Sequence, residues 1–268
     1  MIATKPFRSK LTKTKDLFIP FIMAGDPSPE LTIDLAVNLQ QAGADILELG
    51  VPYSDPLADG PTIQDAANRA LQHKMTLRKA IELVPEMRKK GVSIPVVIFT
   101  YYNPVLQVGE DAFFNHMKEN DVDGLLIPDL PFEESEQMRD RCNKEGIEFI
   151  SLVAPNSEDR VQKIAENATG FLYCVSSLGV TGTRKELNTD ISTFLEHVKL
   201  HSKVPVAVGF GVSTYEQVKM LQQHCDGVII GSAIINLIAA QQDALLNQET
   251  RQQALQAFKN NIMKMIGK

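Results

Sequence analysis

The sequence predicts an α/β protein, a (β/α)8 TIM barrel with extra helices at its N- and C-terminal ends. Three observations predict it. Short runs rich in β-branched residues alternate with longer amphipathic stretches, the pattern of βα units on a parallel sheet. The runs number eight, and no stretch rich in Pro, Gly or Ser divides them into halves. Two connections from a strand to its following helix are unusually long, and they fall on the rim where such barrels build active sites. The 268 residues fit one barrel domain of about 250 residues spanning 1–268. A doubly wound pair of open sheets is the alternative.

The strand candidates are 18–23, 45–49, 95–99, 124–127, 148–153, 170–175, 204–208 and 227–230. Helical periodicity covers 29–42, 61–71, 77–90, 111–120, 133–145, 157–167, 190–200 and 214–224. Further helices are expected at 234–240 and 248–266, and a short one within 5–14. Ser28, Thr76, Ser157 and Ser213 stand where a side-chain oxygen can accept from the orphan amides of a first helical turn. The long connections are 50–60, GVPYSDPLADG, and 176–189, SSLGVTGTRKELNT. Pro52 and Pro56, with Pro61 just beyond, stiffen the first. The second is rich in small polar residues and suits a lid.

Composition excludes several functions. With 27 basic and 33 acidic side chains and a net charge of −6, the chain lacks the basic face that nucleic acid or an anionic membrane requires. No stretch approaches the ~18 apolar residues of a membrane span, and the N-terminal residues carry no apolar signal region. Cys142, Cys174 and Cys225 are distant and show no C-x-x-C spacing, so thiols in a reducing cytoplasm are expected rather than disulfides or a zinc site.

Chemistry points to the strand ends. Glu48 lies in Ile-Leu-Glu-Leu-Gly, where alternation directs Leu47 and Leu49 toward the helices and Glu48 with Ile46 into the barrel. A carboxyl among apolar neighbours is harder to ionise, which suits a general acid and base at neutral pH. Pairing with a buried basic residue is the other option. Asp59, in Leu-Ala-Asp-Gly-Pro, fits either a cap for the helix opening at Pro61 or a second carboxylate in the same mouth. Glycines recur on the rim: Gly179-Val-Thr-Gly182, Gly209-Phe-Gly211 and Gly231-Ser232. Amides exposed there, aided by a helix dipole, would cradle a phosphate. Phe21, Phe99, Tyr101, Leu126, Leu152, Tyr173 and Phe210 end strands at the mouth and could wall an aromatic pocket. Asp129 either lines the mouth or holds the first loop. The five histidines sit in helical or exposed patterns, which argues against a metal site or a histidine triad.

These residues resemble the tryptophan synthase alpha subunit family. The likeness runs from Pro20-Phe-Ile-Met-Ala-Gly-Asp-Pro27 through Leu47-Glu-Leu-Gly-Val-Pro-Tyr-Ser-Asp-Pro-Leu-Ala-Asp-Gly-Pro61 to the three glycine segments. It implies a lyase that cleaves indole-3-glycerol phosphate to indole and glyceraldehyde 3-phosphate without a cofactor of its own. Glu48 and Asp59 match the family's catalytic pair. The phosphate would lie at Gly182, Phe210, Gly211, Gly231 and Ser232, and the indole ring among Phe21, Phe99, Tyr101, Leu126 and Tyr173. Thr181 would lock the second loop over substrate. The resemblance further implies an α2β2 complex in the cytoplasm, with a beta subunit that uses pyridoxal phosphate to join indole to serine. Pro52, Asp55 and Pro56 would then belong to the interface. Pro128 replaces a smaller residue found in many relatives. An allosteric subunit with little activity of its own, and an aldolase or isomerase acting on another phosphosugar, are the alternative functions.

Overall fold

The computed structural model describes residues 6–155, 158–175, 189–209 and 211–268. Among these, nine parallel strands form one sheet: β1 (Leu17–Met23), β2 (Leu47–Gly50), β3 (Val96–Phe99), β4 (Gly124–Leu126), β5 (Glu148–Phe149), β6 (Ser151–Val153), β7 (Leu172–Val175), β8 (Val206–Gly209) and β9 (Gly227–Ile230). Their spatial order is β5-β4-β3-β2-β1-β9-β8-β7-β6. The two ends of that order, β5 and β6, are halves of the single strand expected over 148–153. β5 pairs with β4 and β6 with β7, while the Ile150 amide between them donates to the Leu125 carbonyl at 2.8 Å. The sheet therefore closes through Ile150, which excludes two open sheets.

Strand alternation separates two apolar layers. Leu17, Ile19, Ile46, Val97, Leu126, Ile150, Phe171, Ala207 and Ile229 cluster inside the barrel. Leu47, Leu49, Ile98 and Leu125 join the larger layer between strands and helices. The helix Pro6–Lys10 plugs the amino-terminal end of the barrel. Its Phe7 is fully buried and stacks on Phe171, with centroids 6.5 Å apart. Lys10 Nζ reaches Asp123 at 2.7 Å, and Arg88 Nη2 reaches the other oxygen of the same carboxylate at 2.6 Å. That end of the barrel is thereby closed.

The helices follow the periodicity, with local departures. Ser28 and Thr76 cap as expected, accepting from the amides of Leu31 and Lys79. Ser213 does not cap. Thr214 does so instead, within a reciprocal capping box with Gln217, and the helix Tyr215–Leu221 starts one residue later. Ser157 lies outside the described residues. The helix Tyr102–Val108 was not anticipated, because Asn103-Pro104 reads as a turn. Proline in a first helical turn lacks only an amide with no intrahelical partner. The C-terminal pattern divides into Gln242–Leu246 and Arg251–Ile266, so the last helix begins at 251 rather than 248.

Removing the plug should be costly. We expect Phe7→Ala to lower unfolding free energy by about 3–5 kcal/mol, as for other buried aromatic truncations. Urea denaturation checks this, and an unchanged midpoint would show that the barrel floor does not need the N-terminal helix.

Candidate active site

Glu48 is the second residue of β2, opposite Phe21 of β1 and Val97 of β3. Its side chain points inward, as the alternation requires. The residue is 1 % exposed, and its Oε1 has no hydrogen-bond partner among the described residues. Among the described residues no basic side chain meets it, and no ion pair offsets its burial. Burial alone pushes its pKa from 4.5 up to about 8. At neutral pH the group is a carboxylic acid with a proton to give.

Asp59 reaches the same cavity from the loop after β2. It does not cap the following helix: Pro61–Gln72 begins at Gly60 with no side-chain cap. The Asp59 backbone carbonyl accepts from Gln64 Nε2 at 2.7 Å, while its carboxylate accepts a hydrogen bond from the Tyr101 hydroxyl. Burial raises the Asp59 pKa, and the Tyr101 hydrogen bond opposes that rise by favouring the anion. The two carboxyls therefore sit in different environments, one without a partner and one held by a phenol. That difference permits opposite proton roles.

Tyr101 does more positioning than walling. Its hydroxyl accepts from the Ala58 amide at 3.0 Å and donates to Asp59, so one phenol fixes the end of the loop. Its ring packs at a tilt against that of Tyr53, centroids 5.2 Å apart, and is almost fully buried. Leu126 is likewise buried beneath the cavity in the interior cluster. Neither lines the opening, which revises the expectation for the pocket wall. Phe21 and Phe99 do line it, edge to face at 5.5 Å, with Tyr173, Leu152 and Pro128. Ile63, Val175 and Ile229 complete the apolar surface. Ile63 went unrecognised because it lies in a helix, where its spacing reads as ordinary core. The cavity holds about 450 Å³, within the range of small-molecule sites.

Glycines that follow β8 and β9 form another part of the cavity lining. Gly211, in the left-handed region at φ +63°, has open space where a side chain would project. Gly231 precedes the helix Ser232–Ala240, whose N-terminus has no side-chain cap. Its first amides thus lack intrahelical partners and sit at the positive end of the helix dipole. Gly211, Gly231 and Ser232 all line the cavity. Gly209 has a different reason to be glycine, since a Cβ there would collide with the Tyr173 hydroxyl; at Gly50 it would collide with the Phe21 ring. Both strand ends are bare so that aromatic walls can cross them. Thr181, Gly182 and Phe210 lie outside the described residues.

The loop from β2 to Asp59 faces outward at its middle. Pro52 is buried and Asp55 exposed, Pro56 is half-buried, and Leu57 is 85 % exposed. Asp129 accepts from the Tyr102 amide at 2.9 Å and so holds the neighbouring loop. The histidines are absent from the cavity lining, and among the described residues no group of three or more His, Cys, Asp or Glu is placed to hold a metal ion.

The whole chain has relatives. The family model described as "Tryptophan synthase alpha chain" matches residues 7–265. The tryptophan synthase alpha chain of Geobacillus sp. (strain WCH70) is 64% identical over 249 residues, covering 93% of this chain and 95% of the relative. That of Bacillus subtilis (strain 168) is 54% identical over 261 residues, covering 97% and 98%. Tryptophan synthase subunit alpha from Legionella pneumophila superposes with a TM-score of 0.85 at 35% identity, over 99% of both chains. A chain of the tryptophan synthase α2β2 complex from Pyrococcus furiosus superposes with a TM-score of 0.84 at 36% identity, over 96% of this chain and 100% of that one. A closed barrel carrying two unlike carboxyls beneath an aromatic-walled mouth thus has full-length counterparts in sequence and in structure, and the chain belongs to the tryptophan synthase alpha chain family.

Proposed function

We propose that the cavity binds indole-3-glycerol phosphate and cleaves it to indole and glyceraldehyde 3-phosphate, with Glu48 as general acid and base and Asp59 as the anion facing the indole nitrogen. The observation that carries this reading is the unpartnered, buried Glu48 carboxyl. Glu48 delivers its proton to indole C3, and positive charge develops on the ring nitrogen, where Asp59 meets it. The Glu48 carboxylate then takes the proton of the glycerol hydroxyl. The carbon–carbon bond breaks, its electron pair passes into the ring and cancels the charge on nitrogen, and the aldehyde forms. Glu48 ends protonated, so the cycle consumes no proton.

Phosphate would rest on the amides around Gly211, Gly231 and Ser232, with Gly182 and Phe210 contributing, while the ring packs between Phe21, Phe99 and Tyr173. Thr181 would secure the second loop near Asp59 as it closes. This chain needs no cofactor in that scheme. The pyridoxal phosphate of the complete synthesis would belong to a beta subunit, reached through an α2β2 assembly whose interface includes Pro52, Asp55 and Pro56. A single-domain enzyme working in the cytoplasm fits the role. Among the described residues no helix is long and apolar enough to cross a membrane. An allosteric subunit with little activity of its own fits less well, because a binding scaffold has no use for a buried acid that destabilises it. An aldolase or isomerase on another phosphosugar leaves the aromatic walls unexplained.

Three outcomes test the assignment. Glu48→Gln should lower indole formation by about 10²–10⁴-fold and Asp59→Asn by about 10²–10³-fold, each with substrate binding retained; near-normal turnover in either would remove that residue from the mechanism. In wild type, kcat/KM for indole release should fall as pH rises through about 8 and the Glu48 proton is lost. Stability provides the third outcome. A carboxyl whose folded pKa is raised contributes stability that is fully present below its ordinary value of 4.5 and lost as pH rises through about 8. Glu48→Gln should therefore melt above wild type by a margin that grows from pH 5 to pH 9, by roughly 2–4 °C for each kcal/mol relieved. A pH-independent difference would contradict the neutral buried acid.

A further inference from the structure

A second cavity of about 310 Å³ lies behind the wall of the first, between the strands and the outer helices. Pro128, Leu152 and Val175 line both cavities and form the partition between them. Ser151 alternates with Ile150 and Leu152, which face the barrel interior, so its side chain points outward into the second space. The residue is 4 % exposed, and its Oγ has no hydrogen-bond partner among the described residues. An unmet buried hydroxyl costs free energy, and a ligand that supplies the missing bond recovers it.

The other polar side chains around this cavity already have partners. Asp129 accepts from the Tyr102 amide, and the Ser135 hydroxyl donates to the Phe132 carbonyl at 2.8 Å. Arg160 is gripped by both Glu133 oxygens at 2.8 and 3.2 Å, and that pairing holds the Glu133 pKa down to about 2. The guanidinium charge is thus met, which disfavours a phosphate or carboxylate ligand. Phe132, Phe149 and Leu130 supply apolar surface. The cavity calls for a small, neutral, flat molecule with one hydrogen-bonding group.

We propose that this interlayer cavity is a second indole site, with the indole N–H donating to Ser151 Oγ. The inference rests on the reading of the first cavity as one that releases indole. The volume lies at the lower end of the ~300–1,000 Å³ typical of small-molecule sites, and the occupant is the neutral product formed on the other side of the partition. Indole held there would sit against the reverse face of Pro128 and Leu152, close to the reaction cavity without blocking it.

Equilibrium dialysis with radiolabelled indole tests the proposal. In Glu48→Gln saturated with a non-cleavable analogue of indole-3-glycerol phosphate that lacks the side-chain hydroxyls, the reaction cavity is occupied without turnover, and one further indole per chain should bind. In Glu48→Gln/Ser151→Leu, where the leucine fills the space, none should bind, while Ser151→Leu in the wild-type background keeps kcat/KM within about twofold. Should Ser151→Leu fail to fold, Ser151→Ala in the Glu48→Gln chain should weaken the additional binding roughly three- to tenfold, the loss of one hydrogen bond. Absence of the additional indole, or binding indifferent to both Ser151 variants, would overturn the second site. Failure of the proposed function gives a different result: substrate would not bind to Glu48→Gln, or that variant would release indole at a near-wild-type rate.

Discussion

Burial of one carboxyl without a counter-charge is the constraint around which the rest of the rim is arranged. Glu48 could have been neutralised by a basic side chain, and among the described residues the fold places none against it. Its neighbours across the sheet are Phe21 and Val97, which supply no hydrogen bond. The cost falls on folding stability and the benefit on chemistry, because a desolvated acid keeps its proton at neutral pH. The floor bears the opposite character. There Phe7 fills the barrel, and Asp123 is met from two sides by Lys10 and Arg88. The carboxylate at the floor is paired for stability, and the Glu48 carboxyl at the mouth, kept neutral by burial, meets no counter-charge among the described residues.

Asp59 shows how the same loop serves two ends. Its carboxylate is placed by Tyr101, whose hydroxyl also takes the Ala58 amide, so the Asp59 end of the loop is pinned to β3's exit. The middle of the loop, with Asp55 and Leu57, is turned outward. A partner pressing on that surface would act on a segment that ends at Asp59. The stiffness supplied by Pro52 and Pro56 makes the segment able to transmit such a displacement.

Much of this was legible in the residues. The inward direction of Glu48 follows from alternation within Ile46–Gly50, because a strand flips side chains every residue and a one-residue slip would bury the wrong set. The closing of the barrel was legible only as a count of eight. The break in pairing at Ile150 depends on which neighbour each half of the strand meets, and no local pattern records that. Tyr101 and Leu126 read as pocket walls because both end strands, yet how deep a strand end sits depends on the stagger of the sheet. Ser213 and Thr214 are equally good caps by type, and the Gln217 side chain reaching back to the start of the helix decided between them.

By itself, then, the sequence determined the fold class, the face each strand presents, the glycine-bearing rim and the identity of the two carboxyls. Those features rest on periodicity and residue chemistry, which act over a few neighbours. Only the tertiary structure decided that Glu48 Oε1 has no partner among the described residues, that Asp59 answers to Tyr101 instead of capping a helix, and that Gly50 and Gly209 are bare to let Phe21 and Tyr173 pass. It also placed a second cavity behind the wall of the first. Each of these depends on side chains brought together from strands distant in sequence. Desolvation and steric fit are properties of such assembled surroundings, so no single segment can encode them.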